Sequence, residues 1–301
     1  MVARSRFGST FAAVFALSVL VGEAPGRAGE IAAINGESNA GSRIVLFDTG
    51  TRVVHQLPDR DGGRFVSRLA WLPSGKALVV AQQCDDCSTE IVLRSVRAFK
   101  QVSARRIARG SQPDGSPDGR RVVFVGLHGG VFLVGIDGLG LRRLFQSDTF
   151  AEPRWSPDGR TIARTVSGRH GVKQIDVIGL GGRGRRQLTR GVRSSVNPAW
   201  SPSGKRIAFA HQGTDGRWRI YVMRRDGSQV RRVSDGRGSD TGPTWSPNGS
   251  QLAFVRSSPG ASQVYVMRSN GAEVRRLPVT GTVQDPAWSP RGGLLACVRR
   301  G

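Results

Sequence analysis

An all-β fold, a ring of six four-stranded blades, is predicted by three features of the sequence: a recurring motif, a second hairpin motif that alternates with it, and complementary chain ends. The first motif is Trp-Ser-Pro-Asp-Gly followed by a polar residue and an apolar run. It starts at Trp155, in variant form at Trp71, Trp200, Trp245 and Trp288, and in a degenerate copy at Gly115, with steps of 40 to 45 residues. A repeat of that length, carrying four short strands, is one blade of a propeller.

The motif itself encodes a tight turn. Pro stands third and Gly fifth in every copy, from Pro73 and Gly75 to Pro290 and Gly292. Pro presets φ near −65°, an Asp or Asn beside it bonds its own backbone, and Gly accepts the left-handed conformation that follows. Behind the turn come Arg121–Val125, Ile162–Val166, Ile207–Ala210 and Leu252–Val255. These runs are too short for ordinary helices and suit strands covered on both faces. The Trp that opens five of the six copies is expected to fill the wedge between blades, with no part in ligand binding.

The second motif supplies the outer half of each blade. Ile220-Tyr221-Val222-Met223 leads through Asp226-Gly227 to Arg231-Arg232-Val233, and Val264 to Leu277 repeats the pattern through Asn270-Gly271. Asp-Gly and Asn-Gly between apolar strands are strong hairpin signals. Each unit therefore carries strands A to D, counted outward from the axis. The chain opens with a C–D pair at Ile44 and ends with an A–B pair from Trp288 to Val298. The N-terminal C–D hairpin is thus expected to join the C-terminal A–B hairpin and close the ring without an exposed seam.

On these motifs the chain resembles the WD40-like, or PD40, repeats of the TolB-like C-terminal β-propellers, over about residues 43 to 298, without the N-terminal domain of TolB. The resemblance implies a six-bladed ring, export, and protein–protein contact through one face. The N-terminus agrees with export. Arg4 and Arg6 precede an apolar run from Phe11 to Val21, with small residues around Gly26-Arg27-Ala28. That is the layout of a cleavable signal too short to span a bilayer. The expected organisation is a signal peptide over 1–28, a short lead over 29–42 and the propeller over 43–301. The expected location is periplasmic or extracellular, as a monomer with no transmembrane segment.

Forty-five Lys and Arg against 22 Asp and Glu give a formal charge of +23, nearly all of it from Arg. Five Arg-Arg pairs, beginning at Arg105, Arg142, Arg185, Arg231 and Arg275, enter D strands and are expected to form a basic rim. Such a belt protects strand edges and attracts anionic surfaces weakly. Nucleic acid is not an expected partner, because aromatic stacking motifs are absent. Cys84 and Cys87 in an exported chain are a candidate disulfide. Cys297, inside an apolar run, is expected to be a buried thiol.

The candidate partner-binding residues stand three places before each motif start: Arg68, Gln112, Glu152, Asn197 and Asp285, with Gly242 as the sixth. They would ring the channel mouth formed by the D–A loops, where convergent polar groups make a binding funnel. Trp218, outside the repeated Trp series, is a further candidate contact. His128, His170 and His211 follow three B strands and are expected in B–C loops, too far apart to share a ligand. No catalytic, cofactor or metal set assembles from the motifs. The expected function is a non-catalytic scaffold for a protein or glycan of the cell envelope; the alternative is a propeller enzyme acting on a polysaccharide or peptide through its loop face.

Overall fold

A computed structural model describes residues 42–57, 65–83, 88–97, 100–147 and 151–300. The expected signal peptide, the expected lead up to residue 41 and the candidate disulfide Cys84–Cys87 lie outside the described residues.

The chain enters on β1 (Ser42–Asp48) and β2 (Val54–Gln56). Blade 1 follows as β3 (Val66–Trp71), β4 (Ala77–Gln83), β5 (Thr89–Arg97) and β6 (Lys100–Arg109). Blade 2 is β7 (Ser111–Gly115), β8 (Arg121–Val125), β9 (Val131–Gly135) and β10 (Arg142–Phe145). Blade 3 is β11 (Arg154–Trp155), β12 (Thr161–Ser167), β13 (Lys173–Gly179) and β14 (Arg186–Gln187). Blade 4 is β15 (Ser195–Trp200), β16 (Arg206–Gln212), β17 (Trp218–Arg224) and β18 (Arg231–Arg232), and blade 5 is β19 (Ser239–Trp245), β20 (Gln251–Ser258), β21 (Ala261–Arg268) and β22 (Arg275–Arg276). Blade 6 takes β23 (Thr282–Trp288) and β24 (Leu294–Arg300) from the end of the chain and β1 and β2 from its start, in the order β23-β24-β1-β2.

The predicted closure is therefore present. β1 and β24 pair antiparallel from Ser42↔Arg300 to Asp48↔Leu294, so the seam is an interior ladder rather than an edge. Successive side chains of a strand point to opposite faces. Ile44 and Leu46 accordingly pack with Leu69, Trp71 and Leu78 of blade 1, while Val45 and Phe47 pack with Ala253, Val264 and Leu277 of blade 5. The core repeats this arrangement as one apolar layer between each pair of neighbouring blades. Phe124, Phe209 and Phe254 each plug such a layer completely, at about 1.5–3 kcal/mol of burial apiece.

The motif turn forms as its chemistry requires. Gly119 and Gly159 sit at φ +69° and +66°, and their N–H groups return to the carbonyls of Ser116 and Ser156. The motif Ser adds a tie from the turn to strand B, since Oγ of Ser116, Ser156 and Ser201 accepts the N–H five residues on, at 2.9–3.0 Å. Copy 1 has Leu72 in place of this Ser, and copy 2 has Gly115 in place of the Trp. The two exceptions meet. A Cβ on Gly115 would stand 2.7 Å from Leu72 Cδ2, so Leu72 occupies space that the missing indole vacates.

Candidate functional site

The A strands carry a bulge three residues before the motif start. Ladder register breaks across Ser111/Asp114, Val196/Ala199, Thr241/Thr244 and Gln284/Ala287. At that position Gln112, Glu152, Asn197 and Asp285 have φ between +46° and +55°. Left-handed backbone costs a non-glycine residue roughly 1–2 kcal/mol, and four repetitions call for a compensating interaction. It is a side-chain relay from blade to blade. Gln112 Oε1 accepts the Glu152 N–H at 2.8 Å, Glu152 Oε2 accepts the Asn197 N–H at 2.7 Å, and Asn197 Oδ1 accepts the Gly242 N–H at 3.2 Å. Gly242, at φ +58°, has no side chain to pass the relay on.

Arg68, in blade 1, completes the ring in another way. Its Nε lies 3.1 Å from Asp285 Oδ1 and its Nη2 lies 3.5 Å from Glu152 Oε1, so it ties blade 1 to blades 6 and 3. Glu152 also accepts from Thr165 Oγ1 at 2.7 Å and from Asn197 Nδ2. Burial works to lower the Arg68 pKa, but Asp285 and Glu152 outweigh it and the net shift is upward. Burial raises the Asp285 carboxyl despite Arg68. The structure thus brings Arg68, Gln112, Glu152, Asn197 and Asp285 together, and these side chains bond to one another and to neighbouring backbone. They make a braced ring around the axis.

The space lies beside that ring. A cavity of about 250 Å³ runs from Arg68, Asn197 and Asp285 along the motif Trp side chains to Pro157, Pro202 and Pro290 in the A–B turns. Trp71, Trp155, Trp200, Trp245 and Trp288 all line it. Their placement between blades matches expectation, but they also wall the axial cavity, which the sequence did not assign to them. Trp71 and Trp245 Nε1 each donate at 3.1 Å to a carbonyl of the preceding blade, Ala287 and Ala199.

Two further residues on the cavity wall escape the motif reading. One place before the motif start most copies have a small residue: Ala70, Ala199, Thr244 and Ala287. Copies 2 and 3 have Asp114 and Arg154 there, and both line the cavity. Asp114 Oδ2 accepts the Trp155 N–H at 2.8 Å, yet burial raises its pKa against the pull of Arg154. Burial, then the like charge of Arg68, lowers the pKa of Arg154. The sequence signal for both is a charged break in a small-residue column of the repeat.

The remaining candidates lie elsewhere. Trp218 opens β17, is half-buried and packs on the apolar layer between blades 4 and 5; it is not on the axis. His128 and His170 are exposed on blades 2 and 3. His211 departs from the expected loop position: it lies within β16, against Phe209 and Tyr221, with Nδ1 2.9 Å from Ser195 Oγ. Ser195 is 1% exposed and His211 half-buried, and their bond ties β15 to β16. Among the described residues no group of three or more His, Cys, Asp or Glu is placed to hold a metal. Cys297 is a free thiol, and burial pushes its pKa up.

The Arg-Arg pairs do border the outer strands, and three of the pairs do more than carry charge. Arg105 Nη1 donates to the Asp137 carbonyl at 2.8 Å and its Nη2 to that of Ile136 at 2.5 Å, in the C–D turn of the next blade. Arg186 reaches the Arg225 carbonyl at 2.9 Å, and Arg231 those of Ser269 and Asn270 at 3.3 and 3.4 Å. The rim is a set of clamps between blades as well as a basic belt.

Residues 137–301 match the family model described as PD40, the TolB beta propeller domain. No curated protein matches the chain significantly. Among solved structures, a TolB from Agrobacterium tumefaciens superposes with a TM-score of 0.73 at 22% identity, over 88% of this chain and 99% of that one. The TolB of Acinetobacter baumannii gives 0.67 at 19% identity, over 83% of this chain and 66% of its own. An oligogalacturonate lyase from Vibrio parahaemolyticus gives 0.54 at 14% identity, over 86% and 97%. At these identities the structural likeness carries the fold alone.

Proposed function

The chain belongs to the TolB β-propeller (PD40) family, and from that premise we propose that it is an exported, non-catalytic binding scaffold that takes a segment of a partner protein into its axial cavity. The observation that supports this most is the cavity itself. It is Trp-walled, bordered by a braced ion-pair ring, and continues to the A–B turns. A rigid, partly apolar concavity with a few fixed polar groups is the ordinary form of a recognition site. The polar ring is paired within itself, so it holds the mouth of the cavity in one shape and disfavours a partner group that would break those pairs. The signal-like residues 1–28 support export. The catalytic alternative would require a nucleophile with access to substrate, and the Ser195 hydroxyl beside His211 is buried.

The test is affinity capture from the extracytoplasmic fraction with the wild-type protein and with Thr244→Phe, which places a large ring in the cavity. A protein retained by the wild type and lost with Thr244→Phe, at unchanged melting temperature, supports the proposal. Capture that survives Thr244→Phe but is lost when the exposed Arg142 and Arg143 become Ser moves the binding surface to the rim. Turnover of an oligogalacturonate or a peptide, abolished by substitution of His128 or His170, would replace the scaffold by an enzyme.

A further inference from the structure

The buried arginines Arg94, Arg164 and Arg256 and the half-buried Arg68 are paired, whereas the half-buried Arg154 on the cavity wall has no ion pair among the described residues. Arg68 meets Asp285 and Glu152, Arg164 meets Asp176 at 2.8 Å, and Arg256 meets Asp240 at 2.7 Å. Arg94 donates to Gln101 at 3.1 Å and to Gln82. Arg154 stands on the wall of the axial cavity, yet its guanidinium makes a single hydrogen bond to the described residues, from Nη1 to the adjacent Pro153 carbonyl at 3.0 Å. Asp114, Asp285 and Glu152 are near enough to act on it electrostatically, but no carboxylate among the described residues lies within 4.0 Å of its nitrogens. Its Nε and Nη2 are not sealed off from the cavity, since neither is among the buried atoms without a partner. A planar fork of donors, held in a confined space without its own acceptor, is fitted to a planar anion.

Size and surroundings narrow the anion. At about 250 Å³ the cavity falls below the roughly 300–1,000 Å³ of a small-molecule pocket, which suits the tip of a larger ligand. The indole walls and the turn prolines suit the methylenes of a side chain. The charged groups on the wall are Arg68 and Arg154 against Asp114 and Asp285; Asp285 is engaged by Arg68 and Asp114 by the Trp155 N–H, which leaves Arg154 as the cation without an ion pair among the described residues.

We infer that Arg154 is a specificity residue that receives the carboxylate of an acidic side chain, Asp or Glu, from an extended partner segment. This rests on the proposed scaffold function and adds the chemistry of the group that enters the cavity. No covalent step is involved. The carboxylate takes the place of water on Nε and Nη2 of Arg154, and the side chain that carries it lies along the Trp wall.

The cavity tryptophans make intrinsic fluorescence a direct readout. The probes are a pentapeptide, acetylated and amidated, with Glu at its centre in a Gly background, the same peptide with Gln, an all-Gly peptide with a free C-terminal carboxylate, and galacturonic acid. Saturable change with the Glu peptide, at least about tenfold weaker with the Gln peptide and with Arg154→Gln, is the expected result, since charge-assisted bonds to Arg are roughly twice as strong as neutral ones. Arg154→Lys should recover part of the affinity. Because Arg154 has no internal ion pair to lose, Arg154→Gln should melt within a degree or two of wild type, whereas a structural arginine would not. Equal binding of Glu and Gln peptides, or unchanged binding by Arg154→Gln, overturns the inference. Tighter binding of galacturonic acid than of any peptide also overturns it in favour of an acidic sugar. A response confined to the free C-terminus overturns the side-chain assignment. Partner capture that survives Arg154→Gln but not Thr244→Phe leaves the scaffold standing and removes only the carboxylate.

Discussion

Leu72 and Gly115 are the two places where the motif loses its own residue, and they are predicted to be energetically coupled. Leu72 is 4% exposed and packs with Val79, Ile91, Val122 and Phe124 between blades 1 and 2. Leu72→Ser removes that packing, at about 3 kcal/mol for transfer plus cavity, and regains about 1 kcal/mol if the new hydroxyl caps the Ala77 N–H as its counterparts do. The net loss is about 2 kcal/mol. Gly115→Trp alone drives a Cβ to within 2.7 Å of Leu72 Cδ2, an overpacking worth about 1–3 kcal/mol. The double variant rebuilds the ordinary motif in both copies, with the indole in the space that Leu72 leaves. Its destabilisation should therefore fall about 2 kcal/mol short of the sum of the single changes, within the range of coupled neighbours. Urea denaturation of the four proteins, followed by Trp fluorescence and by far-UV circular dichroism, gives the cycle. Additive losses to within about 0.5 kcal/mol would refute the exchange of Leu for Trp, since independent sites add to that precision.

Gly242→Asn should melt higher than Gly242→Ala, because Asn tolerates the left-handed backbone and its carbonyl can extend the relay toward blade 6; differential scanning calorimetry ranks them. Arg105→Ala should cost about 1 kcal/mol and speed proteolytic cutting at the Asp137-Gly138 turn, whereas Arg142→Ala should do neither. Cys297 should resist a thiol reagent in the native protein and react at once in denaturant, as a buried, pKa-raised thiol is a poor nucleophile. Ser116 and Arg120 hold the Asp118 carboxyl below its ordinary pKa, and Ser156 does the same for Asp158. Their contribution to stability is thus present above the unfolded carboxylate value of about 3.9 and is lost as pH falls through the lower folded value. Wild type and the Asp118→Asn, Asp158→Asn double variant should differ at pH 6 and converge as the pH falls well below the unfolded carboxylate value of about 3.9 in chemical denaturation.

The fold was legible because a propeller writes its geometry into a repeat. Pro at the third motif position and Gly at the fifth fix each A–B turn through backbone conformation alone, and Asp-Gly or Asn-Gly does the same for C–D turns, so strand order and closure follow from local chemistry. Residues 44–57 and 288–298 could be assigned to one blade for the same reason. What the repeat hides is direction. Gln112, Glu152, Asn197 and Asp285 were recognisable as equivalent and axial, but their left-handed φ turns each side chain onto the next blade, and sequence spacing does not report φ for a non-glycine residue. An array of polar groups that looked free is consequently spent on bracing. Arg105, Arg186 and Arg231 illustrate the same limit, since charge is visible in sequence while a guanidinium reaching a neighbouring turn is not.

The residues left over for recognition are those that break the repeat. A scaffold built from six equivalent copies presents six equivalent surfaces, and a ring of identical groups has no means of orienting an asymmetric ligand. Asymmetry enters this axis at a few positions only: Arg68, without the following Pro and without positive φ; Gly242, where the relay stops; Gly115, where the Trp wall has a gap; and Asp114 beside Arg154, where small residues give way to charge. The fold explains each recurrent feature of the motif by a turn, a layer or a brace, and it uses Arg68 as a brace and Gly115 as room for Leu72, but it finds no such use for Arg154. Arg154 in particular loses hydration at the cavity wall and gains no ion pair within 4.0 Å in the described chain, so removing that charge is expected to leave the melting temperature within a degree or two of wild type. A folding-neutral Arg154→Gln that abolishes capture would therefore separate recognition from architecture at a single side chain, which the symmetric positions cannot do.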